Sequence, residues 1–251
     1  RMAKVTGAML MARSLKQQGV EFMLGIVGFP VQPIAAAAQE VGIRYIGMRN
    51  EQTASYAAQA VGYMTGRPGA CLTVSGPGVI HGFAGLANAK ENFWPMILIG
   101  GASPIYQNGM GAFQEERQTE LAAPYCKFAH NVGLVERIPF YVEQAVRFSI
   151  YGQPGPVYLD MPDDIIQGEV EESDVQEMAT IPDPPRTQTM PEYIDAALDL
   201  LETAERPLVI VGKGMAYSHA EDEVRAFVER TQIPFLVSPM GKGVMDDGHP
   251  L

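Results

Sequence analysis

The chain has 251 residues, and 18 Lys+Arg against 29 Asp+Glu leave a formal net charge of −11 at pH 7. With no basic run anywhere along it, that balance speaks against nucleic acid as a partner, because phosphate backbones are held by clustered cations. Hydrophobic residues at 47% and charged residues at 19% suit a globular chain with a real core and exclude a disordered one.

Thr6 is placed to cap a first helix, whose apolar positions Met9, Leu10 and Leu15 run to a stop at Gly19. Residues 21–27 read as a buried strand, an alanine-rich helix follows Pro30 to Glu40, and 43–48 is the next strand. Glu51 opens a third helix to about Thr65; then come a strand at 70–75, a helix at 79–91 and a strand at 95–101. Strict alternation of this kind predicts an α/β fold, a parallel sheet with helices on both faces, with ligand sites at the carboxyl ends of the strands. Residues 102–118 show little periodicity and read as a functional loop. Helices are predicted over 120–126 and 139–152, and a closing strand over 156–162.

The acidic, proline-bearing stretch 169–190 predicts a linker between a first domain, 1–168, and a second α/β domain that starts at 191. There the pattern gives helix 191–204, strand 207–214, helix 219–231 and strand 234–243. Two strands and two helices bury too little surface to stand alone, so the chain is expected to be the front part of a longer protein.

Cys71 and Cys126 lack any CxxC or CxxH spacing, so neither a zinc site nor a disulfide framework is expected, and both read as small buried apolar groups in a reducing compartment. The uncharged run from Pro68 to Ala89 is broken by Pro77 and five glycines and does not read as a membrane span. Residues 1–7 lack the apolar core of a signal peptide.

Three strand-to-helix turns fall on one expected sheet edge: GIVGFP at 25–30, with Gly28 and Phe29; RNEQ at 49–52, with Glu51; and SGPG at 75–78, with Pro77. Each has a plain structural reading. Glu51 is a first-turn glutamate favoured by the helix dipole. SGPG lacks the third glycine of GxGxxG and any Walker lysine. His81 on the following helix reads as a cap or core histidine, and GAFQEERQ at 111–118 as a solvated loop with Phe113 and Gln114 in it. Convergence of the three turns on one pocket is more specific than any one of them.

The ordered set GIVGFP, RNEQ, SGPG, MGAFQE, GKGMAY and PMGKG resembles, over essentially the whole chain, the front part of thiamine diphosphate-dependent enzymes. It is most similar to the 2-hydroxyacyl-CoA lyases, with oxalyl-CoA decarboxylase as the near relative. The resemblance implies a first domain that binds the aminopyrimidine ring and a middle domain of the CoA- or nucleotide-binding type. It places the diphosphate and Mg²⁺ on a third domain with a GDG/GDS…N motif, and this chain contains no GDG or GDS. Glu51 is implied to hydrogen-bond the pyrimidine nitrogen as the catalytic acid. Gly28, Phe29, Pro77 and His81 then fall beside the cofactor, His81 where many relatives carry asparagine.

Phe113 and Gln114 are implied to face the substrate, Gln114 also with a catalytic part. They stand where the decarboxylase has tyrosine and glutamate, which favours the lyase reaction: cleavage of a 2-hydroxyacyl-CoA to formyl-CoA and an aldehyde or ketone. An acyl-CoA substrate, a homodimer or homotetramer, and a cytoplasmic location (peroxisomal in a eukaryote) follow from the same resemblance. Two alternatives stay open: the decarboxylase, and an inactive truncated binding module with a nucleotide site near 212–217.

Overall fold

A computed structural model describes residues 3–251, which divide into two units at Pro184/Pro185. In the first, Thr6 at the end of β1 (Lys4–Thr6) accepts from the Met9 amide at 3.2 Å and so caps α1 (Gly7–Gln17), as the sequence predicts. Then β2 (Phe22–Gly25), α2 (Gln32–Glu40), β3 (Arg44–Gly47), α3 (Glu51–Thr65), β4 (Gly69–Thr73), α4 (Pro77–Asn92) and β5 (Met96–Ala102) alternate in the predicted order. Beyond a loop come α5 (Gln118–Ala122), β6 (Phe128–Asn131), α6 (Ile138–Ile150), β7 (Pro156–Pro162), α7 (Asp163–Gln167) and β8 (Glu169–Glu171).

Strands β2 to β7 form one all-parallel sheet in the order β3-β2-β4-β5-β7-β6. Its middle strands β4, β5 and β7 are buried nearly throughout, and their side chains alternate between two hydrophobic clusters. Leu72, Ile97 and Leu159 join Leu15, Ile34 and Val142 from α1, α2 and α6 on one face. Cys71, Leu98 and Tyr158 join Ala54, Ala58 and Leu86 from α3 and α4 on the other. A parallel sheet needs both faces covered, which is why its strands read as continuous apolar runs.

The uncharged glycine-rich run becomes β4 and α4. A Cβ on Gly85 would sit 2.3 Å from Ser55 Oγ, and one on Gly62 only 1.8 Å from the Pro95 carbonyl oxygen. The small residues thus let α3 and α4 lie close to each other and to the end of β5.

Several expectations need correction. Strands β1, β6 and β8 are three or four residues of mixed polarity, too short for a period to show. The helix expected over 120–126 is α5, ending at Ala122, followed by a tighter turn over Ala123–Tyr125. The linker expected over 169–190 begins as structure: β8 pairs antiparallel with β1. Further on, the Gln17 amide donates to the Met178 carbonyl at 2.7 Å, while Gln18 binds both the Ala179 carbonyl and the Ile181 amide at 2.9 Å. Ile181 is buried there. The first unit therefore runs to Pro184 rather than 168, because two side-chain amides and one isoleucine anchor a stretch whose composition reads as loose.

The second unit consists of α8 (Pro191–Thr203), β9 (Val209–Val211), α9 (Lys213–Ser218), α10 (Glu221–Thr231) and β10 (Phe235–Val237), with β9 and β10 parallel. Both strands are shorter than predicted, and the end of the expected strand 207–214 turns into α9 instead. Its interior is built from Val211, Ala216, Val228 and Val244. Both cysteines are free; burial raises the Cys71 thiol and pushes that of Cys126 up to about 12, so both behave as apolar groups. Among the described residues no helix is long and apolar enough to cross a membrane.

Candidate functional site

The carboxyl ends of four adjacent strands, β3, β2, β4 and β5, carry the turns that the sequence singles out. After β2, Gly28 takes up the space beside Val74, where a Cβ would lie 2.7 Å from Cγ1. That close approach leaves Phe29 on the surface, 44% exposed. After β3, Asn50 caps α3 by accepting from the Thr53 amide at 3.1 Å, and Glu51 is the first residue of the helix. After β4, Gly76 adopts φ +59°, ψ −114°, which an L side chain rarely takes, and Pro77 begins α4 with the fixed φ a first turn favours.

Glu51 and His81 meet at this edge. Glu51 Oε2 is 3.1 Å from His81 Nδ1, with the carboxylate 15% and the imidazole 60% exposed. His81 is therefore neither a cap nor a core group, contrary to the plain reading of its sequence position. Thirty residues separate the two, and the close packing of α3 on α4 brings them together. Glu51 Oε1 lies beside Gly78, 3.7 Å from where a Cβ would be, a position that Val74 Cγ2 already approaches to 2.5 Å.

The loop after β5 supplies the opposite wall. Phe113, 69% exposed, meets Phe29 edge-on with ring centroids 6.2 Å apart. Gln114 lies at φ +56° and accepts a hydrogen bond from Ser75 Oγ at 3.1 Å. Glu115 organises the loop itself, accepting from the backbone amides of Gly109 at 2.5 Å, Gly111 at 2.9 Å and Ala112 at 3.0 Å. Those amide donors, Gly109 first, hold its carboxyl below the ordinary glutamate range. Between the walls opens a cleft of about 230 Å³ lined by Gly76, Pro77, Ile80, His81 and residues 114–116.

All seven residues singled out in the sequence, Gly28, Phe29, Glu51, Pro77, His81, Phe113 and Gln114, thus lie on one edge. A larger cavity of about 700 Å³ lies at the opposite edge, beside the amino ends of β5, β6 and β7, and contains none of them. The turn near 212–217 belongs to the second unit, where it opens the short α9. Among the described residues no cluster of three His, Cys, Asp or Glu side chains is arranged to hold a metal ion.

Sequence reasoning missed a buried polar group behind the edge. Gln118, Tyr158 and Asp160 are linked to one another and to Asn131, with Gln118 also reaching the Gly76 amide. The only signal was polar residues at positions that a buried strand and a helix start leave to apolar ones.

Residues 5–121 match the family described as thiamine pyrophosphate enzyme, N-terminal TPP binding domain, and residues 194–251 match the central domain of the same enzymes. Similar curated proteins include 2-hydroxyacyl-CoA lyase 1 of Mus musculus, 52% identical over 98% of this chain and 42% of its own length. The Homo sapiens protein of the same name is 49% identical over 98% of this chain and 43% of its own. Oxalyl-CoA decarboxylase of Escherichia coli K12 is 42% identical, again over 98% of this chain and 44% of its own length. The chain spans less than half the length of each of these relatives. With both domain types matched in order, the chain belongs to the thiamine pyrophosphate enzymes.

Proposed function

We propose that the protein carrying this chain is a 2-hydroxyacyl-CoA lyase, releasing formyl-CoA and an aldehyde or ketone. The observation that carries this reading is the placement of Glu51: a mostly buried carboxylate at the carboxyl edge of the sheet, with one oxygen on His81 and the other beside Gly78. A flat heteroaromatic ring with a nitrogen toward Glu51 is the ligand proposed for this edge. Exposed Phe29 and Phe113 offer apolar faces on the same edge of the sheet. When bound, thiamine diphosphate supplies the carbanion-stabilising chemistry of C–C cleavage.

The chain's own residues then have definite tasks. Glu51 Oε1 shares a proton with a ring nitrogen, a role that needs the carboxylate shielded from water, as it is. His81 holds the other oxygen and so limits the carboxylate's rotation. Phe113 and Gln114 are proposed to line the substrate side, where an amide at 114 suits a neutral hydroxyacyl group and an acidic side chain would suit a carboxylated substrate. The diphosphate and Mg²⁺ are proposed to sit on residues outside this chain.

Support for a shared site comes from the same edge, where Val27, Phe29, Ile80 and Phe113 are exposed apolar groups that a second subunit would cover. A dimer or tetramer is the proposed assembly. The test is product analysis with thiamine diphosphate and Mg²⁺ present: a 2-hydroxyacyl-CoA should yield formyl-CoA, and oxalyl-CoA should be turned over far more slowly. The reverse preference would assign the decarboxylase reaction; loss of both would leave a binding module.

A further inference from the structure

The buried amide of Gln118 joins three parts of the first unit that are remote in sequence. Its Nε2 shares two hydrogens among three acceptors within reach, the Gly101 carbonyl at 2.9 Å, the Tyr158 hydroxyl at 3.1 Å and Asp160 Oδ1 at 2.6 Å. Its Oε1 accepts from the Gly76 amide at 2.5 Å. Which way the amide faces is decided by Asp160. Oδ1 of that carboxylate also accepts from the Tyr158 hydroxyl at 2.5 Å, and Oδ2 accepts from Asn131 Nδ2 at 2.7 Å. A carboxylate only accepts, so the NH₂ of Gln118 must turn toward the sheet and its oxygen toward Gly76.

The two ends of this link bear on the two walls of the cleft. Gly76 caps α4, the helix that carries Pro77, Gly78 and His81, and its backbone is pressed against the loop: a Cβ there would lie 2.8 Å from the Gln114 carbonyl oxygen. Gln118 itself is the first residue of α5 and ends the loop that bears Phe113 and Gln114. Nearly all of its surface is buried, as is that of Tyr158 and Asp160, so no water competes for these bonds. Burial also raises the Asp160 carboxyl against the pull of its three donors, Tyr158, Asn131 and Gln118.

We infer that Gln118, oriented by Asp160, is a positioning residue that sets the 75–78 turn and the 113–114 loop at the separation the Glu51 site requires. The inference rests on the lyase reading for its effect on turnover, while its geometry stands apart from that reading. Glutamine is the side chain with both a donor and an acceptor at this reach. A hydrophobic replacement of equal length strands the Gly76 amide in the interior and leaves Asp160 Oδ1 with the Tyr158 hydroxyl as its donor.

The test uses the protein with thiamine diphosphate and Mg²⁺ as the titrated probe. Gln118→Met should weaken cofactor binding and raise KM for the acyl-CoA by roughly tenfold each, in the range for a stranded buried donor. Amide exchange should quicken over 75–78 and 111–117 and stay unchanged in β4 and β5. Asp160→Asn should do the same, since its amide would face that of Asn131. The exchange pair Asp160→Asn with Asn131→Asp restores one donor against one acceptor and should bring binding and KM back to within about threefold. If Gln118→Met fails to fold, the Asp160 and Asn131 variants carry the decision. A lowered melting temperature with unchanged cofactor binding, KM and exchange at 75–78 and 111–117 would overturn the inference, as would an exchange pair that restores nothing. A wild-type protein that binds no thiamine diphosphate would instead sink the lyase reading, and the exchange pattern would still decide the positioning role.

Discussion

Glu51 Oε2 and His81 Nδ1 lie 3.1 Å apart near the starts of two adjacent helices, so the carboxylate is held by an imidazole from the helix that follows a different strand. Glu51→Gln removes the acid but keeps the size and most of the hydrogen bonding. Turnover should fall by roughly two to four orders of magnitude, the usual span for an acid–base group. Thermal stability should change little, because a first-turn glutamate contributes only about 0.3 to 1 kcal/mol through the helix dipole. Initial rates and a melting curve on the same preparation separate the two effects.

His81→Ala leaves Glu51 in place without its restraint. The bond is made on the surface side, where a hydrogen bond contributes about 0.5 to 1.5 kcal/mol, so turnover should drop by roughly three- to tenfold. His81→Asn, which can still donate, should lose less than His81→Ala. Equal losses in the two variants would show that the imidazole does more than hold the carboxylate.

Gly62→Ala tests the packing that brings α3 to the site. The added methyl would sit 1.8 Å from the Pro95 carbonyl oxygen, which is backbone and cannot rotate away. Overpacking of this kind costs about 1–3 kcal/mol, read as a lower denaturation midpoint with an unchanged slope. Gly42→Ala, with open space around it but φ +80°, should be destabilising only through its backbone conformation.

Most of the first sheet could be read from the chain because its order comes from local signals. Thr6 and Gly19 bracket α1, Glu51 and Thr65 bound α3 as expected, and apolar runs mark β4, β5 and β7. The Glu51–His81 contact and the Gln118–Asp160 link were not legible, since each joins segments tens of residues apart and neither leaves a periodic trace. For the same reason Gln118 read as the last residue of a loop. His81 in particular was misplaced because its helix face is decided by α3, not by its own neighbours.

His130 gives a pH dependence with a definite sign. It stacks on Tyr141 with ring centroids 4.3 Å apart, and burial, followed by nearby Arg137, lowers its pKa below the ordinary histidine value of 6.5. The unfolded chain then takes up a proton before the folded one does. The contribution to stability is fully present above pH 6.5 and is lost as pH falls toward the lower folded value. Denaturant titrations from pH 8 to 5 should show stability declining across that window in the wild type and declining less in His130→Phe.

Glu115 should control the order of the loop. Its lowered carboxyl means the bonds to Gly109, Gly111 and Ala112 are fully made above the ordinary glutamate range and are lost as pH falls through the depressed folded value. Glu115→Gln keeps at most part of this triple acceptor. Amide exchange at 109–112 should be faster in the variant at neutral pH, with the sheet unaffected.

The central claim is that Glu51, in its place on the sheet edge, serves thiamine diphosphate-dependent cleavage of a 2-hydroxyacyl-CoA. Its most direct test is formyl-CoA release from such a substrate by wild type and Glu51→Gln, each with saturating thiamine diphosphate and Mg²⁺. Rapid release by the wild type and a loss of at least about a hundredfold in the variant is the predicted result. Formyl-CoA release at near-equal rates from both proteins, or none from the wild type, would contradict it.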